Sequence, residues 1–178
     1  MNPEPSTLLC EGRHLRLLRC GHWEYAERAK ASGAAVIVAV TDERNLLLTE
    51  QFRPPVDRRV IELPAGLAGD LAGQEKERFT QAARRELLEE TGYEAENFVH
   101  LLTGPSSAGL TSELVSIFQA TGLRRVSSGG GVEGENIIVH EVPLENLKSW
   151  LEKRISDGLL VDPKVFAGLW LARQLEEG

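Results

Sequence analysis

The chain has 178 residues, of which 42% are hydrophobic and 26% are charged, as in an ordinary folded domain. Its net charge of -7 argues against a nonspecific nucleic-acid binder, which needs a basic face. The apolar runs fall short of the ~20 residues of a membrane span, and Met1–Thr7 lacks the pattern of a secretory signal. Cys10 and Cys20 match no zinc or redox spacing. We therefore expect a cytoplasmic protein with no membrane partner.

Short strands dominate the first half of the chain. Residues 8–30 alternate loosely and predict a hairpin or meander. The other predicted strands, rich in β-branched residues or bounded by turns, are 34–41, 46–51, 60–63, 98–103, 114–120 and 136–142. A turn over 42–45 joins the first two of these strands, and Pro64–Gly66 closes the third.

Helices are predicted at the centre and at the end of the chain. A long helix over 74–91 has an apolar stripe and ends at Gly92, where a left-handed residue is commonly found. Two more helices are predicted over 143–154 and 163–176, with Trp150 and Trp170 in the core. Hairpins around one central helix predict an α+β fold with a mixed sheet.

Glu86, Glu89 and Glu90 stand at i, i+3 and i+4 and therefore share one face of the central helix. Such a face can simply be solvated. Arg84 and Arg85, just upstream, are placed to orient or neutralise a cluster instead. The turn at Ala65 can add a main-chain carbonyl, which would complete a set of hard oxygen ligands. The pattern thus favours Mg²⁺, or Mn²⁺, and through it the chemistry of diphosphates.

At this point the residues resemble a known family. Arg85–Tyr93 is similar to the second half of the Nudix box, with Glu77 as the earlier glutamate of that box. The turn glycine is Gly66, which indicates extra residues between the turn and the helix. Glu77 is either the box residue or a solvated residue of the first helical turn, where the helix dipole favours an acid.

Upstream segments resemble one branch of Nudix hydrolases, those that act on ADP-ribose and nucleotide sugars. The segments are Glu50–Pro55 and Ile61–Gly66. The resemblance implies a Nudix-type α/β/α sandwich over 33–178. It also implies a β extension over 1–32 that is exchanged in a homodimer. Ala108 replaces a proline usual in ADP-ribose enzymes, and Gly129–Val132 is similar to GDP-mannose hydrolases, so the sugar and base stay open.

The segment Glu133–Ile137 resembles the mobile loop of this branch. The resemblance makes Glu133 the general base and Glu135 a metal ligand beside Glu86, Glu89, Glu90 and the Ala65 carbonyl. Three preceding glycines give a hinge that allows closure over a substrate. A flexible acidic surface loop is the alternative, and Glu89, Glu90 or Glu113 would then be the base.

Four further residues are assigned to substrate binding. Trp23 can stack on a base or pack at the dimer interface. Arg53 can bind phosphate or form a surface ion pair. The resemblance adds Glu62 and Glu113, the latter near the terminal sugar unless it is only a surface acid. Arg85 is assigned to the catalytic group together with Glu133.

These residues predict Mg²⁺-dependent hydrolysis of a nucleoside diphosphate sugar to a nucleoside monophosphate and a sugar phosphate. Two alternatives remain. One is a nucleotide-sugar-binding regulator without catalysis, which the intact carboxylate set disfavours. The other is a house-cleaning nucleoside triphosphate pyrophosphatase, which the upstream and loop segments disfavour.

Overall fold

The computed structural model describes residues 5–70, 73, 75–132 and 134–176, and the strands in this part of the chain form three sheets. The first is an antiparallel meander, named here the N-terminal sheet, of β1 (Thr7–Glu11), β2 (Leu15–Cys20) and β3 (Trp23–Arg28). It matches the loose alternation of residues 8–30. On β3, the amide of Ala26 donates to the carbonyl of Leu110 at 2.8 Å. The N-terminal sheet is therefore joined directly to the rest of the fold.

Two mixed sheets form the body of the protein. Their strands are β4 (Gly33–Ala39), β5 (Asn45–Arg53), β6 (Arg58–Glu62), β7 (Ala65–Ala68), β8 (Tyr93–Pro105), β9 (Leu114–Arg125), β10 (Ile138–Pro143) and β11 (Leu160–Val161). One sheet has the order β7-β4-β9-β8 and the other the order β10-β5-β6-β11. The pairs β4–β9 and β6–β11 are parallel and the remaining pairs are antiparallel.

Three helices accompany the sheets, and they are α1 (Phe79–Thr91), α2 (Leu147–Ser156) and α3 (Lys164–Glu176). The predicted start of the central helix was wrong, because the first turn begins at Phe79. Arg78 precedes it, and its amide donates to the side chain of Gln81 at 3.0 Å. The predicted end was right, because Gly92 has a φ of 77° and its amide donates to the Leu88 carbonyl.

Two strands were missed by the sequence pattern. Residues Ala65–Ala68 form β7, although the sequence predicted only a turn at Pro64–Gly66. The short strand Leu160–Val161 extends the other sheet by parallel pairing with β6. Both are too short, or too rich in glycine and alanine, to show the period of a strand.

Two hydrophobic clusters stabilise the fold. One lies between α1 and the sheet that contains β4, and it includes Ala83, Leu87 and Ile37. The other joins both mixed sheets to α2 and α3, and Leu63 and Val165 belong to it. Burial of such side chains contributes roughly 1.5–3 kcal/mol each. The α1 cluster fixes the helix by its apolar face and leaves the carboxylate face toward β7.

The prediction that Trp170 is a core residue was wrong, since 63% of its surface is exposed. Helix α3 packs with Val165 and Ala172, and Trp170 projects from another face. Trp150 is half-buried, and its ring lies edge-on to that of His140.

The predicted α+β class is confirmed by the mixed sheets and their flanking helices. Within the described ranges no helix has the length and apolarity needed to span a membrane.

Candidate active site

A cavity of about 340 Å³, named here the carboxylate cavity, lies between β7, the carboxylate face of α1 and the start of α3. Acidic and basic side chains both line it. The acidic ones are Glu62, Asp70, Glu86, Glu90, Glu113 and Glu135, and the basic ones are Arg28, Arg53 and Lys164. The cavity thus gathers five predicted site residues of the carboxylate type, together with Ala65 and Arg53. Its charge suits a cation that in turn binds a polyanion.

The turn before β7 holds two of the glutamates against the backbone. The amide of Ala65 donates to the Glu90 carboxylate at 3.0 Å. A Cβ atom added to Gly66 would overlap the carboxyl group of Glu86. Glycine at position 66 therefore allows Glu86 to approach the backbone closely, and it is not needed there for a left-handed conformation. The predicted turn at Pro64–Gly66 does lie beside this helix face, and the contact observed there is made by the Ala65 amide.

Burial sets the ionisation of these two carboxyl groups. It raises the pKa of Glu86 to about 7, although Arg85 acts in the opposite direction. It raises the pKa of Glu90 to about 8, against the hydrogen bond from Ala65, and Glu86, Glu135 and Glu62 raise that pKa further. A buried group of mutually repelling carboxylates is stabilised by a bound cation. Carboxylate oxygens are the type of donor that a hard divalent ion prefers.

Arg85 binds the acidic side chains around it. Its guanidinium donates to Glu86 at 2.6 Å, to Glu89 at 3.3 Å and to both oxygens of Glu77 at 3.2 Å. It also donates to the Leu67 carbonyl at 3.0 Å, so it ties α1 to β7. These bonds give Arg85 the part of a positioning residue for the carboxylates.

Glu77 precedes α1, and only 5% of its side chain is exposed. One of its oxygens accepts from the amide of Gly69 at 3.3 Å, and both accept from Arg85. The alternative of a solvated residue in the first helical turn is therefore wrong. Glu77 thus connects Arg85 of α1 to the residue that follows β7.

One expectation about the helix face needs correction. Arg84 was expected to orient the cluster, but it donates to the Ala95 carbonyl and stacks over Phe98, away from the cavity. Glu89 was expected to converge with Glu86 and Glu90, and its carboxylate accepts from the same nitrogen of Arg85 as that of Glu86, although Glu89 lies outside the lining of the cavity. Among the described residues, no three His, Cys, Asp or Glu side chains stand close enough together to hold an ion as placed. Glu86 and Glu90 remain the central pair.

The glycine-rich segment Ser127–Gly131, named here the glycine strap, docks on the end of α1. The amide of Gly130 donates to the Glu90 carbonyl at 2.8 Å, and that of Gly131 donates to the Glu89 carbonyl at 3.0 Å. A Cβ at Gly129 would overlap the backbone of Thr91. The sequence showed only a hinge here. The strap also satisfies carbonyls at the helix end, which otherwise lack partners.

The loop that follows the strap carries Glu135, which lines the cavity and accepts from the amide of Val132 at 3.0 Å. The predicted general base, Glu133, lies outside the described residues. The glycine strap thus connects α1 to the segment that carries Glu135.

The predicted substrate-binding residues occupy different places. Arg53 donates to both oxygens of Glu62, at 2.8 and 3.1 Å, on the cavity wall. Glu113 binds Arg28. Trp23 is 56% exposed beside the loop of Gly109, outside the lining of the carboxylate cavity within this chain.

Sequence reasoning missed Arg28, Asp70 and Lys164 as lining residues. Arg28 is the last residue of β3, Asp70 follows β7 by two residues, and Lys164 is the first residue of α3. Isolated charged residues at such ends carry no spacing signal, so the fold alone reveals their place.

Comparison with known proteins identifies relatives of the whole fold. The NUDIX domain profile matches residues 31–151. The chain is 34% identical over 143 residues to a protein of Bacillus methanolicus named methanol dehydrogenase activator, covering 79% of this chain and 75% of that one. It is 36% identical over 129 residues to an ADP-ribose pyrophosphatase of Bacillus subtilis, covering 72% and 67%.

Two further relatives complete the comparison. A GDP-mannose pyrophosphatase of an Enterobacter species is 32% identical over 138 residues, covering 72% of this chain and 69% of that one. A crystal structure described as an ADP compounds hydrolase superposes with a TM-score of 0.73 at 20% identity, covering 99% and 94%. The similarity to this structure confirms the predicted fold, and the sequence relatives confirm the predicted family.

Proposed function

The chain belongs to the Nudix domain family, and on that premise we propose that it hydrolyses nucleoside diphosphate sugars with the help of a divalent cation. The bond cleaved is the diphosphate link, and the products are a nucleoside monophosphate and a sugar phosphate. One observation carries the proposal. Glu90 is buried and Glu86 half-buried in one cavity, both with raised pKa values, beside the cations Arg53, Arg28 and Lys164.

Mg²⁺, with Mn²⁺ as a substitute, is the proposed ion, and it would neutralise the diphosphate and lower the pKa of a bound water. Glu86, Glu90 and Glu135 would hold it, with Glu89 and the Ala65 carbonyl as further proposed ligands. Arg85 fixes the position of Glu86 through the bond at 2.6 Å. The proposed ligands therefore come from α1, where Arg85 holds Glu86, and from the loop after the glycine strap, where the Val132 amide holds Glu135.

The remaining residues of the cavity would bind and orient the substrate. Arg53, held on Glu62 by two hydrogen bonds, presents a guanidinium suited to a phosphate oxygen. Glu113 is proposed near the sugar. Glu133 is proposed to take the proton of the attacking water, and Trp23 to stack on the base.

A homodimer is proposed as well. The N-terminal sheet exposes several large apolar side chains, which include Leu8, Leu15, Leu17 and Trp23. The strand register places Leu15 and Leu17 on one face of this sheet and Leu8 and Trp23 on the other, so both faces offer apolar contacts to a second copy. We propose that residues 1–32 form an extension exchanged between two copies of the domain at 33–178. Sedimentation at micromolar concentration tests this, and a monomer would contradict it.

A second candidate function is supported by one relative, whose name is that of an activator of another enzyme. A regulator of this kind would bind a nucleotide sugar without cleaving it. The carboxylate cavity favours hydrolysis instead, because simple binding does not require two buried glutamates of raised pKa.

A substrate panel separates these functions. ADP-ribose, GDP-mannose, other nucleotide sugars, dinucleotides and nucleoside triphosphates are incubated with the protein and Mg²⁺, and the products are identified by chromatography. We expect nucleoside monophosphate from at least one nucleotide sugar. Binding without turnover would support the regulator, and cleavage of triphosphates alone would show that the substrate class is wrong. Omission of the metal is the control, and it should abolish turnover.

A further inference from the structure

A second cavity of about 230 Å³, named here the basic pocket, lies beside the carboxylate cavity. Four of its seven lining residues are basic, and they are Arg13, His14, Arg28 and Lys30. The other three are Ala31, Leu67 and Asp70. A pocket with this lining is unexpected in a chain of net charge -7. Its composition suits an anion rather than a second cation.

The backbone around the basic pocket is held at both ends. The amide of Ala29 donates to the His14 carbonyl at 3.0 Å, which joins the β1–β2 turn to the end of β3. The amide of Ser32 donates to the Ala68 carbonyl at 2.9 Å, and its hydroxyl donates to the same carbonyl at 3.1 Å. The basic side chains are thus carried by segments fixed on the N-terminal sheet and on β7.

Two of the cations are free to bind a ligand. In the described ranges, Arg13 and Lys30 have no ion-pair partner, whereas Arg28 is bound to Glu113. The acid of the pocket, Asp70, lies 3.7 Å from the guanidinium of Arg85. Among the described residues, Arg13 and Lys30 therefore line the pocket without an ion pair, while Asp70 faces Arg85.

The two cavities share a wall. Arg28, Leu67 and Asp70 line both of them. A molecule in the carboxylate cavity can therefore extend past these residues toward Arg13 and Lys30. The diphosphate itself belongs to the metal side, at Glu86 and Glu90, so the basic pocket is left for a different part of the ligand.

We propose that the basic pocket binds an anionic group that the substrate carries in addition to its diphosphate, either a phosphate ester or a carboxylate. This assignment rests on the proposed function, because it places the rest of the substrate in the carboxylate cavity. It predicts a preference for nucleotide sugars with an extra negative charge. Arg13 and Lys30 are the residues that determine this specificity.

Matched substrate pairs test the proposal. ADP-ribose is compared with its 2′-phosphate, which places the charge at the nucleoside end, and UDP-glucose with UDP-glucuronate, which places it on the sugar. The value measured is the kcat/KM of the charged member divided by that of the neutral member. The pair with the higher ratio shows which end of the substrate reaches the pocket.

The double variant Arg13→Gln/Lys30→Gln should lower this ratio by about tenfold or more, the loss expected for charge-assisted contacts. Arg19→Gln is the matched control, since Arg19 is an exposed arginine of the N-terminal sheet outside the pocket. It should leave the ratio unchanged. The wild-type ratio should also fall as the salt concentration rises.

Titration of the metal-free protein with inorganic phosphate gives a reading that does not depend on turnover. We expect binding by the wild type and by Glu90→Gln, and weaker binding by the double variant. Equal substrate ratios in wild type and double variant would overturn the assignment while hydrolysis stands. Phosphate binding without any substrate preference would also overturn it, in favour of a free anion. Failure of every nucleotide sugar to react would instead overturn the proposed function.

Discussion

Glu50 and Glu90 are both buried, with 7% and 4% of their surfaces exposed. The pKa of Glu50 is nevertheless lowered, whereas that of Glu90 is raised. Burial alone would raise the pKa of Glu50, but hydrogen bonds from His140 and Arg59 lower it overall. Burial raises the pKa of Glu90 to about 8, and its neighbours are carboxylates. The partners of Glu50 outweigh the effect of its burial on the pKa, whereas those of Glu90 add to that effect.

Glu50 has the contacts of a structural carboxylate, and Glu90 has those expected of the proposed metal ligand. Glu50 lies on β5 and bridges Arg59 of β6 and His140 of β10, so its charge holds three strands of one sheet together. Glu90 receives one neutral amide bond from Ala65. Fully paired buried charge supports a fold, whereas buried charge among like charges indicates a ligand of opposite sign.

The largest expected effect comes from Glu90→Gln. If the carboxylate helps to hold the cation, its loss should reduce turnover on the order of 10³-fold, several kcal/mol of charge stabilisation. Glutamine can still accept the Ala65 amide bond, so the melting temperature of the metal-free protein should stay nearly the same. Kinetics with Mg²⁺ and thermal melts measure both. Glu152→Gln, on the exposed side of α2, is the control. A fully active Glu90→Gln protein would refute the assignment.

The next effect concerns stability. Glu50→Gln should lower the free energy of unfolding at pH 7 by about 2 kcal/mol, less than a fully buried pair because 30% of the Arg59 side chain is exposed. The folded pKa of Glu50 lies below its unfolded value, so its stabilisation is present above that unfolded value. It is lost as the pH falls through the folded pKa.

Urea denaturation of wild type and Glu50→Gln at pH 7 and at pH 3 measures this dependence. The difference in unfolding free energy should shrink at the lower pH. A difference of equal size at both pH values would show that the charge of Glu50 contributes nothing. Turnover at 25 °C should change little, since Glu50 lies outside the lining of the carboxylate cavity.

The smallest effect tests how the glycine strap supports the functional region. The turnover of Gly129→Ala should be about tenfold lower than that of Gly130→Ala. The reason is that the added methyl group at position 129 shifts the end of α1 by a fraction of an ångström. Both glycines have positive φ, 66° and 108°, so both variants carry backbone strain. A Cβ at Gly129 overlaps α1, but one at Gly130 comes no nearer than 3.7 Å to the Ile137 carbonyl.

Steady-state kinetics of the two variants, with urea denaturation to correct for stability, give the comparison. Equal turnover would show that the contact between the strap and α1 is unimportant for the site. A larger loss in Gly130→Ala would point to the hinge instead.

The sequence predicted two carboxylates that line the cavity, Glu86 and Glu90, but not Glu50, the carboxylate that bridges three strands. Glu86 and Glu90 follow a helical spacing, and the turn at Gly66 lies at a recognisable distance before them, so local pattern and family resemblance both apply. Glu50 is a single acid in a strand. Its partners Arg59 and His140 are distant along the chain or on another strand, and only the sheet register brings them together.

Other errors have the same origin. Arg84 and Arg85 are adjacent in sequence, but on a helix they point about 100° apart, and only one of them meets the cluster. Trp170 lies among apolar residues in the sequence, although α3 is packed on one side only. The basic pocket joins a turn, a strand end and β7, so it has no spacing by which a sequence could reveal it.

The contact between Gly66 and Glu86 decides what kind of damage a mutation at position 66 causes. The atoms that an added methyl group would overlap belong to the flexible end of the Glu86 side chain, not to the backbone. An alanine there can be accommodated by displacing that carboxylate, so the chain still folds, and the harm falls on the proposed ligand. A screen for soluble, well-expressed protein would therefore retain such a variant, whereas a screen for activity would reject it. Position 66 is thus constrained by what the enzyme does rather than by whether it folds.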